Sequence, residues 1–257
     1  MKIIFVNRFF FPDHSATSQL LTDLAVHLAQ TGCDVTVLTS RQISDNPLMI
    51  LPRQATFHGV EIVRAWSTRF GREQLAGRAL DYLTFYLSTL WRLLAMASRG
   101  AVIIAKTDPP LISIVGAWVS RIRGAVLINW IQDLFPEVAA ALAVSGSGWL
   151  EQPLRTLRNR SLLAARQNVV IGERMARKLQ EEGIPSNRIS VIHNWADGKA
   201  IQPVDREHNE LRQEWKLRDT FVVGYSGNFG RAHEFDTILS AAEILRDIKQ
   251  IVFLFIG

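Results

Sequence analysis

Continuous apolar runs recur along the first 195 positions, and most are followed by a longer stretch with apolar residues three and four apart. KIIFVN at the N-terminus has the uniform apolar character of a strand buried on both faces. SATSQLLTDLAVHLAQTG then sets Ala16, Leu20, Leu21, Leu24, Ala25, Leu28 and Ala29 on one helical stripe, and Gly32 supplies the stop. Strands are predicted at DVTVLTS and GVEIVRA; residues 40–58 lie mostly between them, are polar, hold two prolines and read as a loop. A long helix is predicted over 74–99, then strand AVIIA, a helix beginning at PPLISIVGAWVSRI, and strand AVLINWI. Helices over 136–144 and 149–166, strand NVVI, helix ERMARKLQEEG and strand RISVIHN complete the series.

Strands alternating with helices imply a parallel sheet covered on both faces, a doubly wound α/β fold. The pattern breaks at ADGKAIQPVDREHNE, which is polar and has no apolar period. It restarts with a short helix over 206–216, strand TFVVGYS, a glycine-bearing loop, helix EFDTILSAAEILRD and strand QIVFLFIG. Two domains are expected, 1–198 and 199–257, the second being only the first β-α-β unit of a larger domain.

Charge and composition narrow the function classes. The net charge of +5 and pI near 9.7 suit anionic ligands, anionic lipid or nucleic acid. The arginines are dispersed rather than interleaved with exposed aromatics, which argues against nucleic acid. The single cysteine, Cys33, excludes an intramolecular disulfide. No C-x-x-C, H-E-x-x-H or D-x-D occurs, so neither a metal site nor a cofactor is expected, and no G-x-S-x-G marks a hydrolase. The apolar run Ile3–Val6 is broken by Asn7 and Arg8 before a secretory core develops, and a cytoplasmic chain is expected. One segment qualifies this. GRALDYLTFYLSTLWRLLAMASRG is more apolar than a one-sided surface helix, and six arginines against two acids lie between Arg64 and Arg99. Such a segment suits peripheral attachment at the inner face of a membrane; a core helix is the alternative.

In open parallel sheets ligands bind beyond the carboxyl ends of the strands, which directs attention to six loops. In the first, Ser15, Ala16 and Thr17 open a helix whose backbone N–H groups can receive an anion, or Asp13 or Ser15 simply caps it. Asp108 in TDPP heads a rigid turn and suits a cap as well as a ligand contact. NWIQDLFPEVAAAL places two carboxylates, Asp133 and Glu137, directly after a strand, as the rim of a crevice requires. Asp133 also fits a helix cap, and Glu137 a first-turn position favoured by the helix dipole. In SGNFGRAHE, Gly227 and Gly230 let a ligand approach the backbone while Arg231 and His233 supply polar groups. G-x-G-x-x-G is absent, which disfavours a dehydrogenase.

Together, NRFFFPDHSATSQLLTDLAVHLAQTGCDVTVLTS, KTDPPLISIVGAWVSRIRGAVLINWIQDLFPEVA, VIHNWAD and VVGYSGNFGRAHEFDTIL resemble glycosyltransferase family 4. The resemblance spans essentially the whole chain. It implies a GT-B type fold with two Rossmann-like domains, an N-terminal acceptor side and a C-terminal nucleotide-sugar side. It implies retaining, metal-independent transfer from a nucleotide-sugar donor to a glycan acceptor, lipid-linked as in bacterial polysaccharide synthesis. Where the family often has His-Asp facing the donor sugar, this chain has Gln132 and Asp133, and the resemblance makes Asp133 the catalytic carboxylate. Asn194 and Asp197 match the family's Asn-Gly-Val-Asp turn, with Trp195 in place of glycine. The arginine and lysine that hold the leaving diphosphate in many relatives are Asn228 and His233 here, and Arg231 stands in for their charge. The family's E-x7-E motif would fall beyond Gly257, so the 257-residue chain is expected to be inactive by itself. A sugar-nucleotide 2-epimerase and a non-catalytic, membrane- or partner-binding truncated paralogue remain open alternatives.

Overall fold

The computed structural model describes residues 1–46, 48–70, 75–138, 151–227, 229–230 and 233–257. Two compact units divide them, Met1–Trp195 and Ala196–Gly257, a few residues before the boundary expected at 198/199. The first unit holds strands β1 (Lys2–Val6), β2 (Asp34–Ser40), β3 (Gln54–Phe57), β4 (Val60–Ala65), β5 (Val102–Lys106), β6 (Val126–Ile131), β7 (Gln167–Val170) and β8 (Ile189–Val191). They form one sheet in the order β3-β4-β2-β1-β5-β6-β7-β8, parallel throughout except for β3 against β4. The chain winds outward from β1 through β2 and β4, then returns to lay β5 on the other side of β1. Val6 is in register with Ala105 across that junction. This reversal is the switch point at which open α/β sheets hold their ligands.

Period-two alternation sends successive strand residues to opposite faces, and a helix layer covers each. Helices α2 (Leu75–Met96) and α3 (Ile112–Arg123) bury Phe85, Leu93 and Val119 against Ile4, Val6, Leu38 and Ile103. Helix α1 (Ala16–Gln30) buries Leu20, Leu21 and Ala25 against Ile3, Phe5, Val35 and Val37 on the other face. Helices α4 (Glu151–Ala164) and α5 (Glu173–Glu181) close the far end through Leu162 and Leu179 on Ile131 and Val170. Gly116 lets α3 lie close on the sheet, since a Cβ there would stand 2.9 Å from Leu127 Cδ1.

Three expectations need revision. Residues 54–57, read as loop, form β3, and a two-residue turn joins them to β4. His58 and Gly59 both take positive φ, 45° and 83°, as the twist of a tight hairpin demands. The helix expected over 206–216 is a 3-10 turn, Arg206–His208, followed by α6 (Glu210–Glu214). The long helix, α2, is one-sided: Gly77, Asp81, Phe85, Thr89, Leu93 and then Ala97 just past its end are buried, and Tyr86, Leu90, Leu94 and Met96 pack beside them against the core. Most of the helix expected over 136–144 lies outside the described residues.

In the second unit β9 (Phe221–Ser226) and β10 (Ile251–Ile256) pair in parallel over six residues, joined through α7 (Asp236–Ile244).

Candidate functional site

The carboxyl rim of the first unit gathers polar side chains on both sides of the switch point. On the α1 side, Lys106 ends β5 and is almost fully buried. Its Nζ donates to Thr17 O at 2.7 Å and lies 3.9 Å from the centre of the Trp130 ring. Both contacts favour the ammonium. Burial opposes them and outweighs the help of Asp108, bringing the pKa down to about 7. Trp130 in turn stacks on Trp195, with ring centroids 5.7 Å apart and planes at 15°.

The first loop is drawn toward the second by Asp13, whose carboxylate accepts from Ser15 N at 2.9 Å, from the Ser15 hydroxyl, and from Ser44 N at 2.6 Å. Burial pushes the Asp13 carboxyl up, but these hydrogen bonds prevail and the net shift is downward. Ser15 occupies the N-cap position without capping through its side chain, so its hydroxyl serves Asp13 rather than the helix. Ala16, next in the helix, is exposed at the rim.

On the α2 side Arg8 leaves β1 and reaches Gln42 at 2.9 Å. Tyr86 bonds the Pro110 carbonyl. Burial raises the Tyr86 phenol, Tyr82 and Asp108 raise it further, and Arg8 pulls the other way. Asp108 is tied to β1 through its carbonyl, which accepts from Arg8 N at 2.6 Å.

Beyond β6 the chain turns at Gln132 and Asp133. Gln132 N donates to Thr107 Oγ1 at 3.2 Å, joining this turn to the β5 exit. The Gln132 carboxamide pairs with that of Asn194 at the exit of β8, at 3.1 and 3.0 Å. Asp133 is exposed beside this pair, yet the protein at its back desolvates the carboxyl and raises its pKa. Glu137 points elsewhere. It takes a two-pronged bond from Arg158, 2.9 Å on each oxygen, and a third contact from Arg155 at 3.2 Å. Its carboxylate therefore ties the β6 exit to α4.

Ser15, Ala16, Thr17, Asp108, Gln132, Asp133 and Asn194 thus stand on one rim, linked through Lys106, Thr107 and the Gln132–Asn194 pair. Gly227, Gly230 and His233 belong to the second unit. There Gly227 adopts φ 148°, a backbone that favours glycine, and His233 Nδ1 lies 3.1 Å from the Tyr225 hydroxyl. Asp197 accepts from Lys199 N at 2.8 Å within a turn of the same unit. Asn228 and Arg231 lie outside the described residues. Among the described residues no three His, Cys, Asp or Glu side chains are grouped to hold a metal ion. Arg8, Lys106 and Trp130 went unnoticed in the sequence. A charge at the end of an otherwise apolar strand was the available signal for the first two.

The glycosyl transferase 4-like domain profile matches residues 16–195. The chain is 28% identical over 192 residues to the probable glycosyltransferase WbjE of Pseudomonas aeruginosa, covering 74% of this chain and 47% of that protein. It is 25% identical over 280 aligned residues to the putative colanic acid biosynthesis glycosyl transferase WcaI of Escherichia coli (strain K12), covering 100% and 66%. It therefore spans about half to two-thirds of these relatives' lengths. Among solved structures it is similar to Anabaena Alr3699/HepE in complex with UDP and glucose, with TM-score 0.60 and 18% identity over 99% of this chain and 60% of that one.

Proposed function

The chain belongs to the glycosyl transferase 4-like family and has a GT-B type α/β fold, and from that premise we propose that it moves a sugar from a nucleotide-sugar donor to a lipid-linked glycan acceptor in polysaccharide synthesis. Both relatives are named as glycosyltransferases and the name of the Escherichia coli one, colanic acid biosynthesis, supports the process, while the UDP held by the Anabaena protein supports a nucleoside diphosphate as leaving group. The first domain, through about residue 198, takes the acceptor, and residues 199–257 contribute to the donor side.

The observation that carries this reading is the position of Asp133. It is an exposed carboxylate on the carboxyl rim, with its backbone held by the Gln132 contacts to Thr107 and Asn194. Retention follows if the acceptor hydroxyl attacks the anomeric carbon from the face that the diphosphate leaves. The bond to the diphosphate breaks with its electron pair going to phosphate oxygen, which takes up the proton of the attacking hydroxyl, and protein positive groups rather than a metal stabilise the remaining charge. The remaining task is positioning.

Membrane contact is part of the same reading. Helices α2 and α3 lie on one face of the sheet and turn Leu83, Leu87, Trp91 (77% exposed), Trp118 (65% exposed) and Ile122 to solvent. Arg78, Arg99, Arg121 and Arg123 are exposed around them, while Asp81 of α2 is buried. An apolar, aromatic surface rimmed by arginine suits anionic lipid. Among the described residues no helix is long and apolar enough to cross a membrane.

The test is incubation with a panel of nucleotide sugars, with and without a lipid-linked glycan, followed by product analysis. Acceptor-dependent release of nucleoside diphosphate with a new glycosidic bond supports the reading. An epimerised sugar nucleotide formed without acceptor, or release of nucleoside diphosphate that ignores the acceptor, overturns it.

A further inference from the structure

Among its described residues the first unit buries three arginines, and their partners differ. Arg158 meets the carboxylate of Glu137 on two prongs. Arg64 donates to the carbonyls of Pro52 and Phe11 at 3.2 and 3.0 Å, although its Nε, like that of Arg8, is buried without an acceptor. Arg8 is 6% exposed, and its one side-chain hydrogen bond among the described residues goes to a neutral amide, Gln42 Oε1. Its Nε is buried without an acceptor, and no ion pair joins it to a described carboxylate. Desolvating a guanidinium without a counter-charge is unfavourable, so such a group normally awaits an anion.

The surroundings hold Arg8 ready. Its guanidinium carbon lies 5.2 Å from the Phe9 ring and 4.9 Å from the Tyr82 ring. Gln42, which orients Nη2, is itself fixed by donating to Ser67 Oγ at 3.2 Å and Thr68 O at 2.9 Å. Loops after β1, β2 and β4 and the helix α2 therefore converge on one cation, at the switch point. The planar fork of arginine matches phosphate geometry. Exposed Leu80 and Leu83 of α2 flank Tyr82 in the chain, so a hydrocarbon chain attached to the anion has apolar surface near it.

We propose that Arg8 is the subsite for the phosphate of a lipid-phosphate acceptor, with Gln42 and Tyr82 as its positioning residues. This rests on the glycosyltransferase reading above and adds the residue that selects a phosphorylated acceptor. Arg8 serves the acceptor, and the diphosphate of the donor is held elsewhere.

Isothermal titration of the 257-residue chain with n-octyl diphosphate, octanol and UDP tests this. Octyl diphosphate should bind and octanol should not. Arg8→Gln should weaken octyl diphosphate by at least about tenfold, the scale of a charge-assisted bond, and Arg8→Lys by less, while UDP affinity is the same in all three proteins. If circular dichroism shows Arg8→Gln unfolded, Gln42→Leu replaces it. That variant keeps the charge and releases its orientation, so weaker octyl diphosphate binding is again expected. Unchanged binding in the variant that folds, equal binding of octanol, no binding of octyl diphosphate, or a matching loss for UDP each overturns the assignment. Sugar transfer that persists without an Arg8-dependent diphosphate site removes this assignment alone. An Arg8-dependent site in a protein that epimerises sugar nucleotides without acceptor keeps the assignment and removes the proposed function.

Discussion

Gln132 and Asn194 exchange two amide hydrogen bonds, Gln132 Nε2 to Asn194 Oδ1 at 3.1 Å and Asn194 Nδ2 to Gln132 Oε1 at 3.0 Å. The pair joins the exits of β6 and β8, strands separated in the sheet by β7. One residue on from Asn194, Trp195 stacks on Trp130 of β6. Amide pairing and ring stacking together fix the last turn of the first unit against the turn that carries Asp133.

Because each amide is the other's partner, removing one leaves the second unsatisfied. Gln132→Ala and Asn194→Ala should each lower stability by about 1 kcal/mol, and the double variant should lose less than their sum. Urea unfolding of the four proteins in the cycle measures the coupling. Strict additivity would show that the two side chains do not hold each other in solution.

Asp133 is expected to matter to turnover and little to stability. Its pKa is raised by desolvation, so Asp133→Asn removes an unfavourable charge and should leave unfolding within about 0.5 kcal/mol of wild type, as for an exposed position. Sugar transfer should fall strongly. Normal transfer in a protein that melts much earlier would make Asp133 a structural cap.

Lys106 gives stability a pH dependence of defined sign. Its folded pKa of about 7 lies below the ordinary lysine value, so between pH 7 and 10.5 the unfolded chain binds more protons than the native one. Stability therefore rises with pH through that window, and the burden of the buried charge is fully present below it. Measured from pH 7 to 9, wild type should gain on Lys106→Met by about 1 kcal/mol per pH unit. A flat difference would place the ammonium in a charged, well-compensated setting dominated by Trp130 and Thr17.

Glu137→Gln should destabilise by about 1–3 kcal/mol, less than for a wholly buried pair because Glu182 still stands 3.5 Å from Arg158. Chemical denaturation reads the loss. An unchanged midpoint would show that Arg158 is satisfied without Glu137 and would free that carboxylate for the rim.

Liposome flotation tests the outer face of α2 and α3. Binding should increase with anionic lipid, fall with salt, and drop when Trp91 and Trp118 are both changed to Ser. Binding indifferent to lipid charge and salt would exclude the electrostatic contact.

The fold was largely legible because parallel strands buried on both faces announce themselves as apolar runs. β3 was not: Gln54-Ala55-Thr56-Phe57 alternates, lies in a polar stretch with prolines, and is recruited by the His58–Gly59 turn rather than by its own composition. The rim was legible where small or acidic residues follow a strand, as at Ser15 and Asp133. Arg8 and Lys106 escaped notice because their importance comes from neighbours distant in the chain, Tyr82 for one and Thr17 for the other. For the same reason nothing local to Glu137 foretold Arg158.

The terminal strands of the eight-stranded sheet are short, four residues in β3 and three in β8. Each offers few free backbone groups to a foreign strand, which protects the first unit from edge-to-edge aggregation. β9 and β10 form a two-stranded sheet of six-residue, mostly apolar strands, so among the described residues both have an open side. Of the two described sheets it is therefore the smaller one that leaves more backbone groups to be paired, and the larger one that is blunted at both ends.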